Sequence, residues 1–316
     1  MHTRVLVADI SNIQAAVEAF AKNNPVVVPT ETVYGLAAPI TNPEAVEQIY
    51  AIKGRPSDNP LIVHITTFDQ LHELTEQLPE YAEYLFETFW PGPLTVVCKT
   101  KQSVKHITGP QGTIAVRMPA HPFIQALINQ TGPLAAPSAN LSGKPSPTTA
   151  EHCVSDLNGK VEIVFDGGEV FHGVESTVLD LTEERPVILR PGVITQDMLE
   201  DVIKQPCIVR KQESLKSPGT RYAHYQPDAR VILSNQPETI DPEDLGRIIV
   251  VSDEKPPYEC EHIAFPDNAA EIAHNVYAWL RRADTEGFDT IVIKNVADVG
   301  IGAAVMDRLR RAAKHS

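Results

Sequence analysis

The sequence predicts an α/β protein that is built from two units. Short apolar runs rich in Val and Ile alternate with longer segments in which apolar residues recur at helical spacing. Gly, Pro and Asn residues separate the two kinds of segment, as is typical of turns. The chain has 316 residues, which is more than a single hydrophobic core usually holds, so two domains are expected.

The helix predicted before the most polar loop has clear signals at both ends. Asn42 can cap its first turn, Pro43 suits the first helical position, and Gly54 can stop it. Lys53 therefore falls at the end of this helix. Residues 61–65 follow as a buried strand, because they form an apolar run that ends in a turn.

The other elements of the first unit, residues 1–206, are predicted from the same periodicities. Helices are expected over residues 13–22 with Ser11 or Asn12 as cap, 68–78, 81–89, 122–129, about 149–157 and 195–203. Strands are expected over residues 26–28, 94–98, 113–116, 133–136, 163–165 and 176–181, and before Arg190.

The C-terminal unit, residues 229–316, alternates three strands with two helices. The strands are expected at 231–233, 248–251 and 290–293, and the helices at 269–283 and 303–313, which predicts a small doubly wound, Rossmann-like α/β domain. The string GIGAAV at 300–305 lacks the third glycine of a dinucleotide fingerprint, so we assign it to close helix packing and expect no nicotinamide cofactor. Residues 207–228 are polar and contain RYAHY, which fits either a linker or a lid over a site.

Charge and composition limit the possible partners. The net charge of −14 and the pI of about 5.2 give no overall attraction to nucleic acid or to anionic membranes, so any bound anion must be held by local cations. The four cysteines lack zinc-site spacing, and we expect them to be reduced. No signal peptide or membrane-spanning apolar run is evident, which predicts a soluble cytoplasmic protein.

Two polar strings near the N-terminus are the strongest indication of a site. PTETVYGL at 29–36 and KGRPSDNPLIVH at 53–64 lie close together in the chain and both border apolar, strand-like runs. Ligands often bind where strands end. Lys53 and Arg55 could instead merely offset the helix dipole. Further cations, hydroxyls, amides and one imidazole complete an inventory that suits anion binding without a covalent intermediate: Arg117, Arg190, Thr30, Thr32, Asn59, Ser138, Asn140, Ser146, Ser176 and His64.

These strings resemble the signature of the threonylcarbamoyl-AMP synthase family, whose catalytic unit is the YrdC-like domain, a twisted mixed sheet with flanking helices. Further matching strings follow in the family's order: FWPGPLT at 89–95, TIAVRMP at 113–119, APSANLSGKPSPT at 136–148, GVESTV at 173–178, ILRPG at 188–192 and SPGTRYAHYQP at 217–227. The resemblance covers most of the chain and indicates the long, two-domain form.

The resemblance implies that L-threonine, bicarbonate and ATP, with Mg²⁺, give threonylcarbamoyl-AMP and pyrophosphate. It implies that Lys53 and Arg55 stabilise the reacting phosphate, and that no metal is bound by the protein itself. The residues implied for L-threonine are Thr30, Thr32, Tyr34, His64, Arg117 and Ser176. Those implied for ATP, beside the two cations, are Asn59, Thr113, Ser138, Asn140, Ser146, Arg190 and Tyr222. The base that takes the amine proton stays open between His64 and Glu31.

The resemblance also implies a downstream partner, the transferase machinery that modifies adenosine 37 of tRNAs, with weak or indirect tRNA binding. One alternative is a double-stranded RNA or tRNA binding module without catalysis, which the acidic balance disfavours. A second is a carbamoyl transferase that adenylates carbamoyl phosphate. Such enzymes carry zinc-finger and acylphosphatase-like segments that this sequence lacks.

Overall fold

The structure, a computed structural model, describes residues 2–101, 107–108, 112–210 and 225–314. Its helices are α1 Ile13–Phe20, α2 Pro43–Lys53, α3 Phe68–Leu74, α4 Ala82–Phe89, α5 Pro122–Thr131, α6 Ala150–Leu157, α7 Gln196–Ile203, α8 Ala269–Thr285 and α9 Ile301–Ala312. Its strands are β1 Arg4–Val7, β2 Val26–Val28, β3 Gly35–Pro39, β4 Ile62–His64, β5 Leu94–Lys99, β6 Thr113–Arg117, β7 Leu134–Ala135, β8 Ile163–Asp166, β9 Thr177–Asp180, β10 Val187–Arg190, β11 Ile208–Val209, β12 Arg230–Ser234, β13 Ile248–Ser252, β14 Glu261–Ala264 and β15 Thr290–Lys294.

The described strands form one large mixed sheet and one small parallel sheet, which confirms the predicted fold class. The large sheet has the order β1-β8-β2-β3-β7-β4-β6-β5-β9-β10-β11, and the small one has the order β12-β15-β13-β14. Strands β1, β3, β11 and β14 were not predicted. Residues 208–209, which the sequence places in the linker, pair with β10 as β11.

Helix α2 confirms the predicted end signals. The Asn42 side chain accepts a hydrogen bond from the Ala45 amide at 3.1 Å, and Pro43 occupies the first turn. Gly54 ends the helix with a φ of 61°, a left-handed conformation that glycine adopts without a steric penalty. Lys53 therefore leaves the last helical turn at a fixed position.

Two other helix ends differ from the prediction. Helix α3 stops at Leu74 because Thr75 is extended and forms a β-bridge with Thr100, the residue that follows β5, so the helix does not continue. Neither Ser11 nor Asn12 caps α1 with its side chain. Asp9 instead caps a short 3₁₀ turn that precedes the helix, where it accepts the Ser11 amide at 2.9 Å.

Helices α8 and α9 of the C-terminal unit cover one face of the small sheet. They form one hydrophobic cluster with alternate strand residues such as Ile249 and Ile291. The neighbouring residues Val250 and Val292 point to the other face, where loop residues such as Leu245 and Tyr258 cover them. The predicted doubly wound arrangement, with helices on both faces, is therefore not formed by the described residues. The connections that follow β12 and β13 contain proline and run as loops or short turns.

The two units share a packed interface. Val33, Val174 and Val193 of the large unit belong to the same hydrophobic cluster as helices α8 and α9. Arg281 of α8 forms a buried ion pair with Asp156 of α6 at 2.8 Å. The interface thus lies directly beside two of the polar strings that the sequence analysis identified. None of the described helices combines the length and apolar character needed to cross a bilayer.

Candidate active site

A row of paired residues explains how cations far apart in the sequence come together. His64 of β4 pairs with Arg117 of β6, which pairs with Thr95 of β5. Thr95 pairs with Val178 of β9, which pairs with Arg190 of β10 beside a register shift. Because directly paired residues in a sheet point to the same face, these side chains extend from one side of the large sheet.

A cavity lies over this face. Its lining contains five basic side chains and one carboxylate, in a chain whose net charge is −14. The basic residues are Lys53, Arg55, Arg117, Lys144 and Arg190. Gly35 and Ala136 also line the cavity, and a Cβ added at Gly35 would lie only 3.3 Å from the Ala136 Cβ. Small residues thus leave room for a ligand close to the sheet.

At one end of the cavity, Arg117 is held by three acceptors. Its guanidinium donates to the Thr32 hydroxyl at 2.8 Å, to the Gly92 carbonyl at 3.2 Å and to the Glu31 carboxylate. Burial alone would raise the pKa of Glu31, but the Arg117 charge and the hydrogen bonds that the carboxylate accepts together outweigh burial and lower the pKa. Glu31 is therefore an ionised partner of Arg117 and a weak base.

His64 lies beside Arg117 and is neutral. Burial, followed by the nearby Arg117 charge, lowers the pKa of His64 to about 3. Among the described residues no hydrogen-bond partner is present for its buried Nδ1. A neutral imidazole with an unpaired nitrogen fits a substrate contact better than a general base, because such a low pKa makes it a poor proton acceptor.

Lys53 joins the cavity wall to the loop that follows β7. Its Nζ donates to the carbonyls of Ser138 and Asn140, both at 2.6 Å, and the Asn140 Oδ1 lies at 3.5 Å. Burial and the neighbouring Arg55 charge lower the pKa of Lys53 well below its usual range. Two of the three N–H donors of the Lys53 ammonium thus position the loop. The third donor has no comparably short bond to the loop.

Arg55 stabilises its own loop. Its Nε donates to the Asn59 carbonyl at 3.2 Å and its Nη2 to the Pro60 carbonyl at 2.9 Å. These bonds fix the position of the guanidinium. Arg55 as a whole is 9% exposed and lines the cavity. Arg55 is therefore preorganised, which is the property that charge stabilisation in a reaction requires.

The opposite end of the row contains Arg190 and Ser176. Arg190 donates through Nη2 to the Ser176 carbonyl at 3.0 Å and to its hydroxyl at 3.2 Å. The Ser176 hydroxyl also lies 2.7 Å from the Thr95 hydroxyl. Gly192 follows Arg190 and packs against the backbone next to Ser176. A side chain at this position would clash, because an added Cβ would lie 2.4 Å from the Thr177 amide nitrogen.

Most site residues predicted from the sequence line this one cavity. These are Thr30, Thr32, Tyr34, Lys53, Arg55, His64, Arg117, Ser138, Asn140, Ser146, Ser176 and Arg190. The Tyr34 hydroxyl donates to the Gly168 carbonyl at 2.6 Å, so this group is already engaged by the protein. Asn59 and Thr113 are buried but do not line the cavity. Tyr222 lies outside the described residues.

The sequence analysis missed several lining residues, of which Glu175 is the most informative. It stands next to Ser176 inside the GVESTV string, yet an acidic residue was not expected in an anion site. Lys144 and Tyr225 also line the cavity. Their strings, GKPSP and AHYQP, gave the only available signal, and it did not distinguish these positions from neighbouring ones.

Comparisons with known proteins cover both units. A family model described as telomere recombination matches residues 18–192, and one described as threonylcarbamoyl-AMP synthase, C-terminal domain, matches residues 194–314. A threonylcarbamoyl-AMP synthase of Pyrococcus abyssi is 44% identical over 304 residues, which cover 91% of this chain and 89% of the relative. One of Bacillus subtilis is 43% identical over 321 residues, which cover 95% and 92%. The crystal structure of P. abyssi Sua5 complexed with L-threonine matches with a TM-score of 0.91 and 40% identity over 99% of this chain and 97% of that one.

Proposed function

The chain belongs to the threonylcarbamoyl-AMP synthase family and is therefore an enzyme; we propose that it condenses L-threonine, bicarbonate and ATP into threonylcarbamoyl-AMP and pyrophosphate. The observation that carries this proposal is the convergence of five basic side chains over one face of the sheet in an acidic chain. Each substrate that enters carries negative charge, and a local cluster of cations is needed to hold them together.

The reaction requires two bond-forming steps. The threonine amine attacks the carbon of bicarbonate, or of carbon dioxide derived from it, and gives a carbamate with loss of water or a proton. A carbamate oxygen then attacks the α-phosphorus of ATP, and the bond to pyrophosphate breaks. The second step makes the enzyme a nucleotidyltransferase, in which positioning and charge stabilisation supply most of the acceleration.

We assign the amino acid to the end of the cavity that contains Arg117. The fixed guanidinium can meet the threonine carboxylate, and the Thr32 hydroxyl and the unpaired Nδ1 of His64 lie beside it. The solved P. abyssi Sua5 complexed with L-threonine shows that a relative of the same fold binds this amino acid. The other predicted threonine contacts are Thr30, Tyr34 and Ser176. Ser176 connects the two ends of the row, because its hydroxyl lies 2.7 Å from that of Thr95, the strand partner of Arg117.

We assign the triphosphate to Lys53 and Arg55. The third donor of Lys53 and the fixed fork of Arg55 can meet phosphate oxygens as negative charge shifts towards pyrophosphate. Ser138, Asn140, Ser146 and Arg190 line the same region and are proposed to bind the rest of the nucleotide.

Mg²⁺ is proposed to arrive with ATP. Within the described residues no group of three or more His, Cys, Asp or Glu side chains could hold a metal ion, and the one carboxylate of the lining is occupied by protein donors. Hydroxyl and amide oxygens of the lining therefore fit a metal that is bound mainly by phosphate oxygens and water. The ion would offset charge on the phosphates.

The catalytic function is favoured over a nucleic-acid binding module. The cations lie inside a cavity, where they cannot follow a nucleic-acid backbone, and the chain is acidic overall. Transfer of the product to adenosine 37 of tRNA is proposed to be performed by separate machinery, which fits the net charge of −14.

Pyrophosphate release tests the proposal. The purified protein is incubated with ATP, Mg²⁺ and bicarbonate, with and without L-threonine. We expect release that depends on both bicarbonate and L-threonine, with threonylcarbamoyl-AMP detected by mass spectrometry. Release that does not depend on L-threonine, or no release, contradicts the proposed function.

A further inference from the structure

The buried carboxylate of Glu175 has no evident role in a site that binds a triphosphate. It is 6% exposed and is the one acidic side chain among the described residues that line the cavity. An unpaired carboxylate here would repel the phosphates and would be costly to bury. Its partners must therefore offset its charge.

Two of its partners come from the C-terminal unit. Oε2 accepts from Arg308 Nε of α9 at 2.9 Å and from the Tyr277 hydroxyl of α8 at 2.8 Å. Oε1 accepts from the Ser146 hydroxyl of the large unit at 2.5 Å. Arg308 is fully buried. The C-terminal helices thus reach the wall of the cavity through one carboxylate.

The charge on Glu175 determines the direction of these bonds. Burial alone would raise its pKa, but the charges of Arg308 and Arg190 and the bonds it accepts lower the pKa to about 2. An ionised carboxylate only accepts hydrogen bonds, so the hydroxyls of Ser146 and Tyr277 must both donate. The single proton of Ser146 is then used, and its oxygen can only accept a bond from a ligand.

We propose that Arg308 and Tyr277 are positioning residues that hold Glu175, and that Glu175 in turn orients the Ser146 hydroxyl. The Ser146 oxygen then accepts a hydrogen bond from a donor group of the nucleotide, either a ribose hydroxyl or the adenine amino group. This inference rests on the proposed function insofar as ATP is the ligand. It excludes a phosphate oxygen as the direct partner of Ser146, because a phosphate oxygen has no proton to donate.

Further contacts support positioning over simple attachment of the two units. Arg308 also donates to the carbonyl of Pro191, next to Arg190, at 2.9 Å. Its guanidinium lies 5.7 Å from the ring centroid of Tyr225, which lines the cavity. A buried ion pair is by itself a weak source of stability, and apolar residues would join the two units at least as well. Arg308 instead lies against two residues of the cavity wall, Glu175 and Tyr225, and bonds to the neighbour of a third, Arg190.

The first test compares two Tyr→Phe variants of the C-terminal unit. Tyr277→Phe removes the bond to Glu175 and preserves the ring. Tyr258→Phe is the matched control, because its hydroxyl donates to the Pro237 carbonyl at 2.8 Å within the same unit and away from the cavity. We expect Tyr277→Phe to raise the dissociation constant for ATP about 3- to 10-fold in calorimetry. That for L-threonine should change less than about twofold, and the control should match the wild type in both.

The second test uses nucleotide analogues and is independent of folding defects in α8. The analogues 2′-deoxy-ATP, 3′-deoxy-ATP and the triphosphate of purine riboside each lack one candidate donor: the 2′-hydroxyl, the 3′-hydroxyl or the adenine amino group. The wild type should bind one of them more weakly than ATP, and the group missing from that analogue is the donor to Ser146. Ser146→Ala and Tyr277→Phe should both lose this discrimination. A structural role alone would weaken all nucleotides equally and preserve it.

The outcomes separate this inference from the proposed function. If the wild type binds ATP but shows no threonine-dependent pyrophosphate release, the proposed function fails and the binding comparison still decides the inference. If the wild type is active and the two Tyr→Phe variants bind ATP alike, or if Ser146→Ala discriminates among the analogues as the wild type does, the positioning role is wrong.

Discussion

Replacing Lys53 with methionine tests the assignment of the triphosphate most directly. Methionine keeps most of the volume of the side chain, which is 3% exposed, and removes only its charged donor group. The variant loses both 2.6 Å bonds to the carbonyls of Ser138 and Asn140, and the loop that follows β7 then keeps only the backbone bond from the Ser142 amide to the Lys53 carbonyl among its described hydrogen bonds to this residue.

The magnitude follows from these contacts. Two carbonyl groups lose a partner, that of Asn140 in a buried bond and that of Ser138 in a partly buried one, at a cost of about 1–3 kcal/mol for a fully buried group and less for the other. Burial already lowers the pKa of Lys53, so removing its ammonium relieves a desolvation penalty that offsets part of this cost. We expect the free energy of unfolding to fall by about 2 kcal/mol, which leaves the protein folded. The rate constant at saturating substrates should fall about 10²- to 10³-fold, as for loss of one preorganised donor to a developing charge.

The assay combines pyrophosphate release with urea unfolding of the same preparations. Lys22→Met is the matched control, because that lysine side chain is 63% exposed on the surface. We expect the control to match the wild type in both measurements. A Lys53→Met enzyme with a rate constant within about threefold of the wild type, at unchanged stability, would refute the role assigned to this residue.

Two further variants test the ends of the site and the interface. Glu31→Gln removes the charge that pairs with Arg117. Because this ion pair lowers the pKa of Glu31, the ion pair stabilises the folded protein at neutral pH, and this stabilisation is lost as the pH falls below about 4.5. Urea unfolding should show the wild type more stable by about 2–3 kcal/mol at pH 7 and the gap closing in acid, whereas a gap that does not change with pH contradicts the ion pair. Gly173→Ala places a Cβ 2.3 Å from the backbone oxygen of His274 in α8, so it should lower the melting temperature more than Gly287→Ala, which has a similar positive φ but open space around it. Equal effects of the two alanines would show that the close approach is unimportant.

Much of the fold could be predicted where local signals and tertiary packing agree. The ends of α2 follow from Asn42, Pro43 and Gly54, whose capping preferences act within a few residues. Strand β3 was missed because GLAAP has none of the β-branched residues that mark strands, and it is strand only because β2 and β7 pair with it. Strands β1 and β11 are mostly exposed edge strands, so they lack the buried alternation that sequence analysis detects.

The site was predictable in its residue types but not in its contacts. Matching strings identified Lys53, Arg117 and Arg190. The sheet register places Arg117 and Arg190 on one face, and Lys53 reaches the cavity over that face from the end of α2. The acceptors of these cations could not be read from the sequence, because Lys53 bonds to backbone carbonyls more than 80 positions away. Glu175 was missed for the same reason, since its meaning depends on Arg308, which lies 133 positions further along the chain.

Carboxylates beside the two ends of the row, Glu31 outside the cavity lining and Glu175 within it, explain how the ligand-free protein tolerates so many buried cations. At one end of the row Arg117 is paired with Glu31. At the other end Glu175 interacts with both Arg190 and Arg308, and Asp307 also pairs with Arg308, so cations and carboxylates balance at each end before any substrate binds. Lys53 and Arg55 lie between these ends, and within the described part of the chain their side chains donate to neutral oxygens of the protein. Their charge is therefore offset least, and an incoming triphosphate gains most at that point. Because Arg308 and Asp307 of α9 belong to this balanced group, the C-terminal unit helps to determine where in the cavity the positive potential is highest.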